Sequence, residues 1–406
     1  MIVVTGPTGK VGRQVVAQLR DRGALVRAVA REPGAADLPA GVEVVAGNLA
    51  DPRSLEPHLN GAESVFLLWP FTSSAAVADQ ARGVVELLAR RVRRIVYLSA
   101  QAGAGQPDSS WATVERLIED SGAEWTFLRP TGFAANTLMW ADQIRAGNIV
   151  RWPYGAAARS LIHERDVAAV AVRALTEDRH TGMKYVLTGP EAITQAGQVR
   201  TIGEVTGRAV RWEELAPEVA RQQLLTAWGD PGFVDSALAT WASLVSQPEP
   251  VTRTVEEVTG TPARTFRQWA HDHAADFRPL PAAEIAAGYV SMFRSGNIDG
   301  ALRLMSPDVV RSAPTESSGG PAEVRGLQAI MDNSSRLNAG YEFHGVEIDG
   351  PFVHQDRFAV RFAIDQTHVP TGKRTTTVKM SLYTVTGGAI AREEVYFYTP
   401  PHTPGP

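Results

Sequence analysis

The chain has 406 residues, of which 44% are hydrophobic and 21% charged, a net charge of −4 and no cysteine. Without cysteine it has no disulfide, no thiolate metal site and no cysteine nucleophile, and its charge disfavours a nucleic-acid partner because it has no basic excess to neutralise phosphates. The length predicts two or three domains. Because the sequence opens on a strand and has no apolar run of membrane-spanning length, we expect a cytoplasmic protein with no signal peptide and no membrane partner.

The chain begins with "MIVVTGPTGKVGRQVVAQL". The unbroken apolar run at residues 2–4 predicts a buried strand, and the apolar periodicity from Val11 predicts a helix. Between them lie Gly6, Gly9 and Gly12 at three-residue spacing. Such a turn directs backbone N–H groups and a positive helix end at an anion. The stretch therefore predicts a dinucleotide-binding turn rather than an ordinary loop.

The second strand, 25–30, ends in Arg31. NAD-selecting proteins place a carboxylate at this point to bind the ribose 2′-hydroxyl, whereas a cation suits a 2′-phosphate. Arg13 can add a second positive charge, while Glu32 opposes it. We expect the cofactor to be NADP(H); the alternative is that Arg31 is a solvated surface cation.

Strand and helix patterns then alternate. Strands are predicted at 42–47, 64–70, 93–100, 124–130 and 184–189, and helices at 77–91, 111–122 and 165–178. This alternation predicts an α/β fold with a doubly wound parallel sheet, whose ligand lies beyond the carboxyl ends of the strands. Residues at those ends are Trp69, Pro70, Phe71, Ser99, Gln101, Arg129, Thr131 and Phe133.

The pattern changes in the second half. Residues 216–277 are helical, and "RPLP" at 278–281 is typical of a linker. Two helices are then predicted over 283–310, a third over 326–337, and strands at 341–350, 357–369, 375–388 and 389–398. We expect a Rossmann-type domain at 1–278, a linker at 279–281, a smaller α+β domain at 282–398 and a disordered tail at 399–406.

The glycine turn, "GNLADPRSL", "IVYLSAQAG", "SGAEWTFLRPTGFAAN", "RDVAAVAVRAL" and "YVLTGPEAIT" occur in this order. Together they resemble the NmrA-like, atypical branch of the short-chain dehydrogenase/reductases. The resemblance implies a Rossmann fold that binds NADP(H) and small-molecule substrates. It implies cofactor contacts from Thr5, Gly6, Thr8, Gly9, Lys10, Val11, Gly12, Arg31, Asn48, Leu49, Trp69, Pro70, Phe71, Ser99, Ala100 and Pro130. The substrate pocket would use Gln101, Trp111, Phe133, Asn136 and Tyr154.

Residues 282–398 resemble the SnoaL-like, nuclear-transport-factor-like cone fold, chiefly through "RFAVRFAID" and "AIAREEVYFY". Such domains serve as polyketide cyclases, isomerases, binding pockets or dimer-forming scaffolds, and the fold alone does not choose among them. The surplus of apolar strand residues leads us to expect a homodimer that pairs through this domain.

The sequence departs from its family at the catalytic position. Typical short-chain reductases use a tyrosine and a lysine four residues apart to protonate the carbonyl as hydride arrives. The corresponding residues here are Trp111 and Glu115, and an indole supplies no acidic proton. The remaining candidates for catalysis are Ser99, Tyr154 and Glu115.

Three functions remain open. The first is an NADPH-dependent reductase, or a related tailoring enzyme of secondary metabolism, acting on an electron-poor quinone, enone, ketone or imine. The second is a non-catalytic NADP(H)-sensing regulator. The third is an isomerase or cyclase whose chemistry lies in the second domain.

Other polar residues have structural and functional interpretations. His163 precedes a helix and either caps it or reaches the mouth of the site. In the second domain, His344, Asp365, His368 and Glu393 lie on strands, where inward-facing positions would form an acid/base pair. On "RFAVRFAID" we favour a solvated face with Asp365 and a core face with Phe362. No histidine and carboxylate spacing matches a metal motif.

Overall fold

A computed structural model of the chain describes residues 1–70, 74–104, 106, 109–313 and 322–398. The chain divides into two compact units, one of residues 1–140 and 150–274 and the other of residues 141–149 and 275–406. The predicted tail at 399–406 and Phe71 lie outside the described residues. The predicted domain boundaries at 278 and 282 stay a proposal.

The first unit contains a seven-stranded sheet of order β3-β2-β1-β4-β5-β6-β9 in which all neighbours are parallel. Its strands are β1 (Ile2–Thr5), β2 (Val26–Ala30), β3 (Glu43–Ala46), β4 (Ser64–Leu68), β5 (Arg94–Leu98), β6 (Glu124–Pro130) and β9 (Met183–Leu187). The predicted doubly wound sheet is confirmed. The strand order reverses between β1 and β4, which is where such folds open a crevice for a ligand.

Helices cover both faces of this sheet and extend beyond it. Those of the first unit are α1 (Lys10–Asp21), α2 (Ser74–Arg91), α3 (Gln101–Ala104), α4 (Ser110–Asp120), α6 (Glu164–Thr176), α7 (Gln195–Thr206), α8 (Pro217–Trp228), α9 (Pro231–Ser246), α10 (Thr254–Thr259) and α11 (Phe266–Asp272), whereas α5 (Ala141–Gly147) belongs to the second unit. Four short strands form two further pairs, β7 (Ile149–Trp152) with β11 (Arg211–Glu214) and β8 (Ala158–Arg159) with β10 (Ile193–Thr194).

Two apolar clusters hold the main sheet. Helices α1 and α6 pack on one face, where Val15, Leu19 and Val170 are fully buried. Helices α2 and α4 pack on the other, where Leu88 and Ile118 are fully buried. The strands read as unbroken apolar runs because both of their faces are covered.

The second unit contains a six-stranded sheet of order β13-β12-β17-β16-β15-β14. Its elements are α12 (Ala282–Arg294), α13 (Ile298–Leu302), β12 (Met305–Ser312), β13 (Glu323–Arg325), α14 (Leu327–Asn338), β14 (Tyr341–His354), β15 (Arg357–His368), β16 (Lys373–Thr386) and β17 (Ala389–Phe397). The prediction of helix through residue 310 is wrong, because Met305–Ser312 is a strand that runs parallel to β17. Its alternating residues bury Met305 and Val309 in the core of this unit.

One face of this sheet is the core face, as the sequence predicts. Phe358, Val360 and Phe362 are buried against α12, whereas Arg361 and Asp365 form ion pairs on the other face, with Asp349 and Arg374. No helix in the described part of the chain is long and apolar enough to cross a membrane.

Candidate functional site

The glycine turn after β1 has the geometry that a bound pyrophosphate requires. Gly6 has a φ of +60°, a left-handed conformation that glycine adopts without strain. A Cβ atom on Gly12 would lie 2.1 Å from the Gly6 carbonyl oxygen, so only glycine lets α1 begin this close to the turn. Gly9 donates its backbone N–H to the same oxygen at 3.1 Å. The turn is therefore closed on itself.

The N-terminus of α1 fits an anionic group. Its N-cap residue, Gly9, has no side chain to accept from the first turn, and that turn contains no acidic residue. The first N–H groups of a helix lack acceptors within the helix, and the helix dipole adds positive potential there. Thr8 and Lys10 are exposed beside this end, while Val11 is buried beneath it. These residues suit the diphosphate of a dinucleotide.

Two predicted cofactor residues have structural contacts of their own. The Thr5 hydroxyl donates to the Phe66 carbonyl at 3.1 Å and accepts from the Leu68 N–H at 2.9 Å, which joins β1 to β4 where the strand order reverses. The Lys10 ammonium donates to the Ala135 carbonyl at 3.0 Å. Thr5 and Lys10 thus fix the shape of the crevice.

Arg31 follows β2 and is exposed. Arg13 pairs at 3.3 Å with Asp37, and both side chains are exposed. Asn48 closes the loop after β3, where its side-chain oxygen accepts from the Ala50 N–H at 3.0 Å. Leu49 packs partly buried against the apolar cluster under α2. Arg31, the predicted contact of the 2′-phosphate, follows β2. Asn48 and Leu49, the predicted contacts of the adenine, follow the neighbouring strand β3 at the same edge of the sheet.

The residues after β4 differ in exposure. Trp69 is 7% exposed and packs within the cluster of Val65, Val85 and Tyr97, whereas Pro70 is exposed. Most of the Trp69 ring therefore packs in the apolar core against the sheet. Phe71 lies outside the described residues.

A buried polar network joins the ends of β5 and β6. The Ser99 hydroxyl donates to Glu115 Oε1 at 2.5 Å. Arg129 donates to the same carboxylate twice, from Nε to Oε1 at 2.9 Å and from Nη2 to Oε2 at 2.5 Å. The exposed fractions of the Arg129 and Glu115 side chains are 16% and 7%. Such a forked pair is strong and directional.

This network fixes the electrostatics at the carboxyl ends of β5 and β6. The Glu115 carboxylate raises the pKa of Arg129 through their hydrogen bonds, so the guanidinium stays charged. Burial, and to a lesser degree the Glu115 charge, raise the pKa of Tyr97, which keeps that phenol neutral. Tyr97 is fully buried on β5, edge-on to Phe127. It is a core residue, as its place inside a strand predicts.

Trp111 lies about one helical turn before Glu115 on α4. A Cβ atom on Gly103 would lie 2.8 Å from the Trp111 Cβ, so α3 and α4 meet closely there. Trp111 also packs on the cluster that contains Val114 and Ile118. Gln101, Ala100 and Pro130 lie around the same strand ends, partly or fully buried.

A cleft opens near the end of β6. It lies among the segment Ala134–Trp140, β8, α7 and α9, and its cavity volume is about 30 Å³. Six of its lining residues are Asn136, Met139, Trp140, Arg159, Gln198 and Trp241. Asn136 lines this cleft, whereas Phe133 packs mainly against the core beneath α1 and α6; their predicted place in a substrate pocket stays a prediction.

Tyr154 lies in an aromatic cluster behind this cleft. The cluster joins Trp140, Trp152, Trp241 and Trp228 through ring contacts of 5.5–6.3 Å. Tyr154 packs partly buried on this cluster's aliphatic neighbours and has a φ of +60°, with its N–H donated to Glu214 at 2.6 Å. These contacts favour a packing role for Tyr154 over proton donation.

The other polar candidates are mostly paired. His163 caps α6 by accepting the Arg165 N–H at 3.2 Å, which is the capping role considered above. In the second unit His344 and His368 pair with Thr367 and Thr371. No cluster of histidine and carboxylate side chains in the described ranges could hold a metal ion.

Glu393 is the buried centre of the second unit. It accepts from Arg311 Nε at 2.6 Å, from the Ser381 hydroxyl at 3.0 Å and from the Tyr383 hydroxyl at 3.2 Å. Tyr289 joins through a 3.0 Å contact with Tyr383. Of the four residues considered for an acid/base pair, Glu393 is the one buried in the core, and Arg311 from β12 compensates its charge.

Two family models match separate parts of the chain. Residues 6–178 match a family model described as NAD(P)H-binding, and residues 286–393 match one described as a SnoaL-like domain. The chain is 40% identical over 289 residues to the (4-alkanoyl-5-oxo-2,5-dihydrofuran-3-yl)methyl phosphate reductase of Streptomyces griseus, covering 69% of this chain and 100% of that protein. It is 35% identical over 290 residues to the NAD(P)H azoreductase of Xenophilus azovorans, covering 68% of this chain and 99% of the other.

A solved structure shares the fold of the first unit. It is the NADPH-dependent quinone oxidoreductase of Escherichia coli in complex with NADPH, with a TM-score of 0.56 and 23% identity, covering 67% of this chain and 99% of that one.

Proposed function

Because this chain belongs to the NmrA-like family of NAD(P)H-dependent oxidoreductases and carries a SnoaL-like domain after the reductase part, we propose that it reduces electron-poor small molecules with NADPH and without a protein acid of the tyrosine–lysine type. The observation that carries the proposal is the network of Ser99, Glu115 and Arg129. Quinones, activated alkenes and azo or imine compounds are the acceptors that such a site suits. The names of the similar reductases support this range.

The chain's own groups suit this chemistry. Bound NADPH supplies the hydride. The α1 N-terminus and the glycine turn hold its diphosphate, and the cation of Arg31 holds the 2′-phosphate that distinguishes NADPH from NADH. The exposure of Arg31 beyond β2 leaves its guanidinium available for that contact.

Ser99 acts as a hydrogen-bond acceptor rather than as an acid. Its proton is committed to the Glu115 carboxylate, and Arg129 keeps that carboxylate in place. A hydroxyl that donates to a carboxylate is a poorer proton donor and a better acceptor. Ser99 therefore positions a donor group of the cofactor or the substrate, and the proton that completes the reduction comes from solvent.

An acceptor screen tests the proposal. NADPH oxidation is followed with a naphthoquinone, an activated enone, an azo dye and an unactivated ketone. We expect turnover with the electron-poor acceptors and at least a hundredfold lower kcat/KM with the ketone, whose alkoxide product needs an acid. Efficient reduction of the ketone would contradict the proposal, and so would tight NADPH binding with no acceptor reduced.

We also propose that the chain forms a homodimer through the second unit. Met380 pairs with Tyr396 on the face of the six-stranded sheet opposite to its core, and Tyr396 is 51% exposed. Phe352 lies on the same face and is 58% exposed. Exposed aromatic residues on a wide sheet face mark an association surface, and a twofold axis would cover two such faces at once.

A further inference from the structure

The second unit carries a lysine on the inner face of its sheet, the face that holds Phe358, Val360 and Phe362. The chain has four lysines, at positions 10, 184, 373 and 379. Lys379 lies opposite Phe362 in the register of β15 and β16, so its side chain shares the inner face. It is partly buried there. A lysine on the core side of a sheet is unusual unless a carboxylate pairs with it.

Lys379 has no such partner. Among the residues that the structure describes, no oxygen accepts a hydrogen bond from its ammonium, which lies 5.1 Å from the centroid of the Phe362 ring. Burial lowers the pKa of Lys379; the charge of Glu393 opposes this effect and that of Arg311 adds to it. At neutral pH this side chain is therefore the neutral, nucleophilic amine more often than an exposed lysine is.

The polar groups near Lys379 form a closed network. Ser381 follows it by two positions on β16 and donates to Glu393 Oε1 at 3.0 Å, while Arg311 donates to Glu393 Oε2 at 2.6 Å. Burial alone would raise the pKa of Glu393, but the charge of Arg311 lowers it, so the carboxylate stays ionised. The uncommitted reactive group on this face is thus the amine and not the carboxylate.

The inner face opens to solvent beyond Phe362. Phe362 is 5% exposed, whereas Val346, opposite Ile364, is 50% exposed and Phe343, opposite Gln366, is 48% exposed. Residues opposite each other in an antiparallel pair share a face, so burial falls along the strands toward this end. Apolar side chains that face solvent beside a few buried polar groups are typical of a small-molecule site.

We propose that Lys379 is a carbonyl-binding amine, whose nitrogen adds to the carbonyl carbon of an apolar aldehyde or ketone on the inner face and forms an imine. The electron pair of the C=O bond moves to the oxygen, which takes both protons of the amine and leaves as water. The step consumes no oxidant or reductant, and hydrolysis returns the amine. This activity lies in the second unit and goes beyond the proposed reductase function, which does not use Lys379.

The side chains of the open end indicate the class of ligand. Phe343, Val346 and Phe362 offer aromatic and aliphatic surface. The charge of Arg311 is compensated by Glu393, so it is not available to pair with an anion. We therefore expect aromatic aldehydes and ketones in preference to small polar ones.

Reductive trapping tests the proposal. The full-length protein is incubated at pH 7 with 2-naphthaldehyde and sodium cyanoborohydride, which reduces an imine to a stable secondary amine, and peptide mass spectrometry follows each lysine. Lys379 should be labelled at least tenfold faster than Lys373, an exposed lysine on the same strand. Labelling of Lys379 should saturate with aldehyde concentration, as binding requires, whereas that of Lys373 should rise linearly.

A polar aldehyde distinguishes a binding site from a reactive amine alone. With glycolaldehyde, the ratio of Lys379 to Lys373 labelling should fall at least fivefold. Phe343→Ser should lower the ratio for 2-naphthaldehyde at least threefold. Phe233→Ser, at an equally exposed phenylalanine of the first unit, is the matched control and should keep the wild-type ratio.

Lys379→Arg keeps a cation beside Phe362 and removes the nucleophile, so the saturable adduct should disappear while NADPH affinity stays unchanged. Labelling of wild-type Lys379 that is no faster than that of Lys373, that does not saturate, or that shows the same ratio with both aldehydes would overturn the proposal. These outcomes need no variant to fold. A ratio retained in folded Phe343→Ser, or an equal fall in Phe233→Ser, would overturn it as well.

Discussion

Arg129 donates two hydrogen bonds to Glu115, at 2.9 and 2.5 Å, and so pairs a buried carboxylate with a cation from the neighbouring strand β6. The same carboxylate accepts the hydrogen bond of the Ser99 hydroxyl. In the proposed reduction this network positions Ser99 and supplies no acid.

Arg129→Met should destabilise the protein by about 3–5 kcal/mol, because it leaves the Glu115 charge buried without a partner. Adding Glu115→Gln should recover much of the loss, since the charge is then gone. Urea unfolding with matched m-values measures both changes. Arg116→Met, at an exposed position on α4, is the control and should stay within about 0.5 kcal/mol. Additive effects of the two substitutions would contradict the coupling.

Arg31→Ala should weaken NADPH binding by about 1.5–3 kcal/mol, the value of a charge-assisted contact to the 2′-phosphate. NADH binding should stay unchanged because NADH lacks that phosphate. Calorimetry with both cofactors measures the difference, and Arg90→Ala on the exposed end of α2 is a charge-matched control. An equal loss of affinity for both cofactors would mean that Arg31 supports the fold and does not contact the 2′-phosphate.

Because of Glu164, the free energy of unfolding of the first unit should depend on pH in the acidic range. Burial alone would raise the pKa of Glu164, but the adjacent imidazoles of His163 and His273 lower it far below its usual range, and His273 Nε2 lies 2.7 Å from Glu164 Oε1. Because the folded pKa lies below the unfolded value of about 4.3, the contribution is present above that value and is lost as pH falls below it. Between about pH 5 and pH 3, the unfolding free energy of the wild-type protein should fall as the pH falls. Glu164→Gln should reduce the slope of that free energy against pH by up to about 1.4 kcal/mol per pH unit. An identical slope in urea titrations would rule this out.

Tyr396→Arg should convert the proposed dimer to a monomer, because it places a charge in the middle of the proposed interface. Light scattering measures the mass, and NADPH affinity should stay unchanged. Val369→Arg is the control, since Val369 is 61% exposed but follows the end of β15 at a turn. A dimer that survives Tyr396→Arg, or a monomeric wild-type protein, would show that this face does not pair.

Features of the fold that depend on short stretches of sequence could be predicted. The glycine spacing and the apolar runs of the parallel strands are both visible in short windows of sequence. The alternation of "RFAVRFAID" also predicted its buried face, because strand periodicity fixes which side chains share a face.

Long-range pairing was not predictable in the same way. Arg129 reaches Glu115 across fourteen positions and Arg159 reaches Glu249 across ninety, so no spacing indicates either pair. The strand at Met305–Ser312 was missed because Pro307 and a register shift interrupt its alternation, and its parallel partner lies more than eighty residues further along. The short strands β7, β8, β10 and β11 form only through such distant pairings.

The most direct test is the single-turnover rate of hydride transfer from NADPH to a neutral naphthoquinone, measured against pH in the wild-type protein and in Trp111→Phe. With no protein acid in the step, the rate should stay within about threefold from pH 6 to pH 9, and Trp111→Phe should stay within about tenfold of wild type. A rate that falls tenfold per pH unit above one pKa, or a thousandfold loss in Trp111→Phe with cofactor binding intact, would contradict reduction without a protein acid.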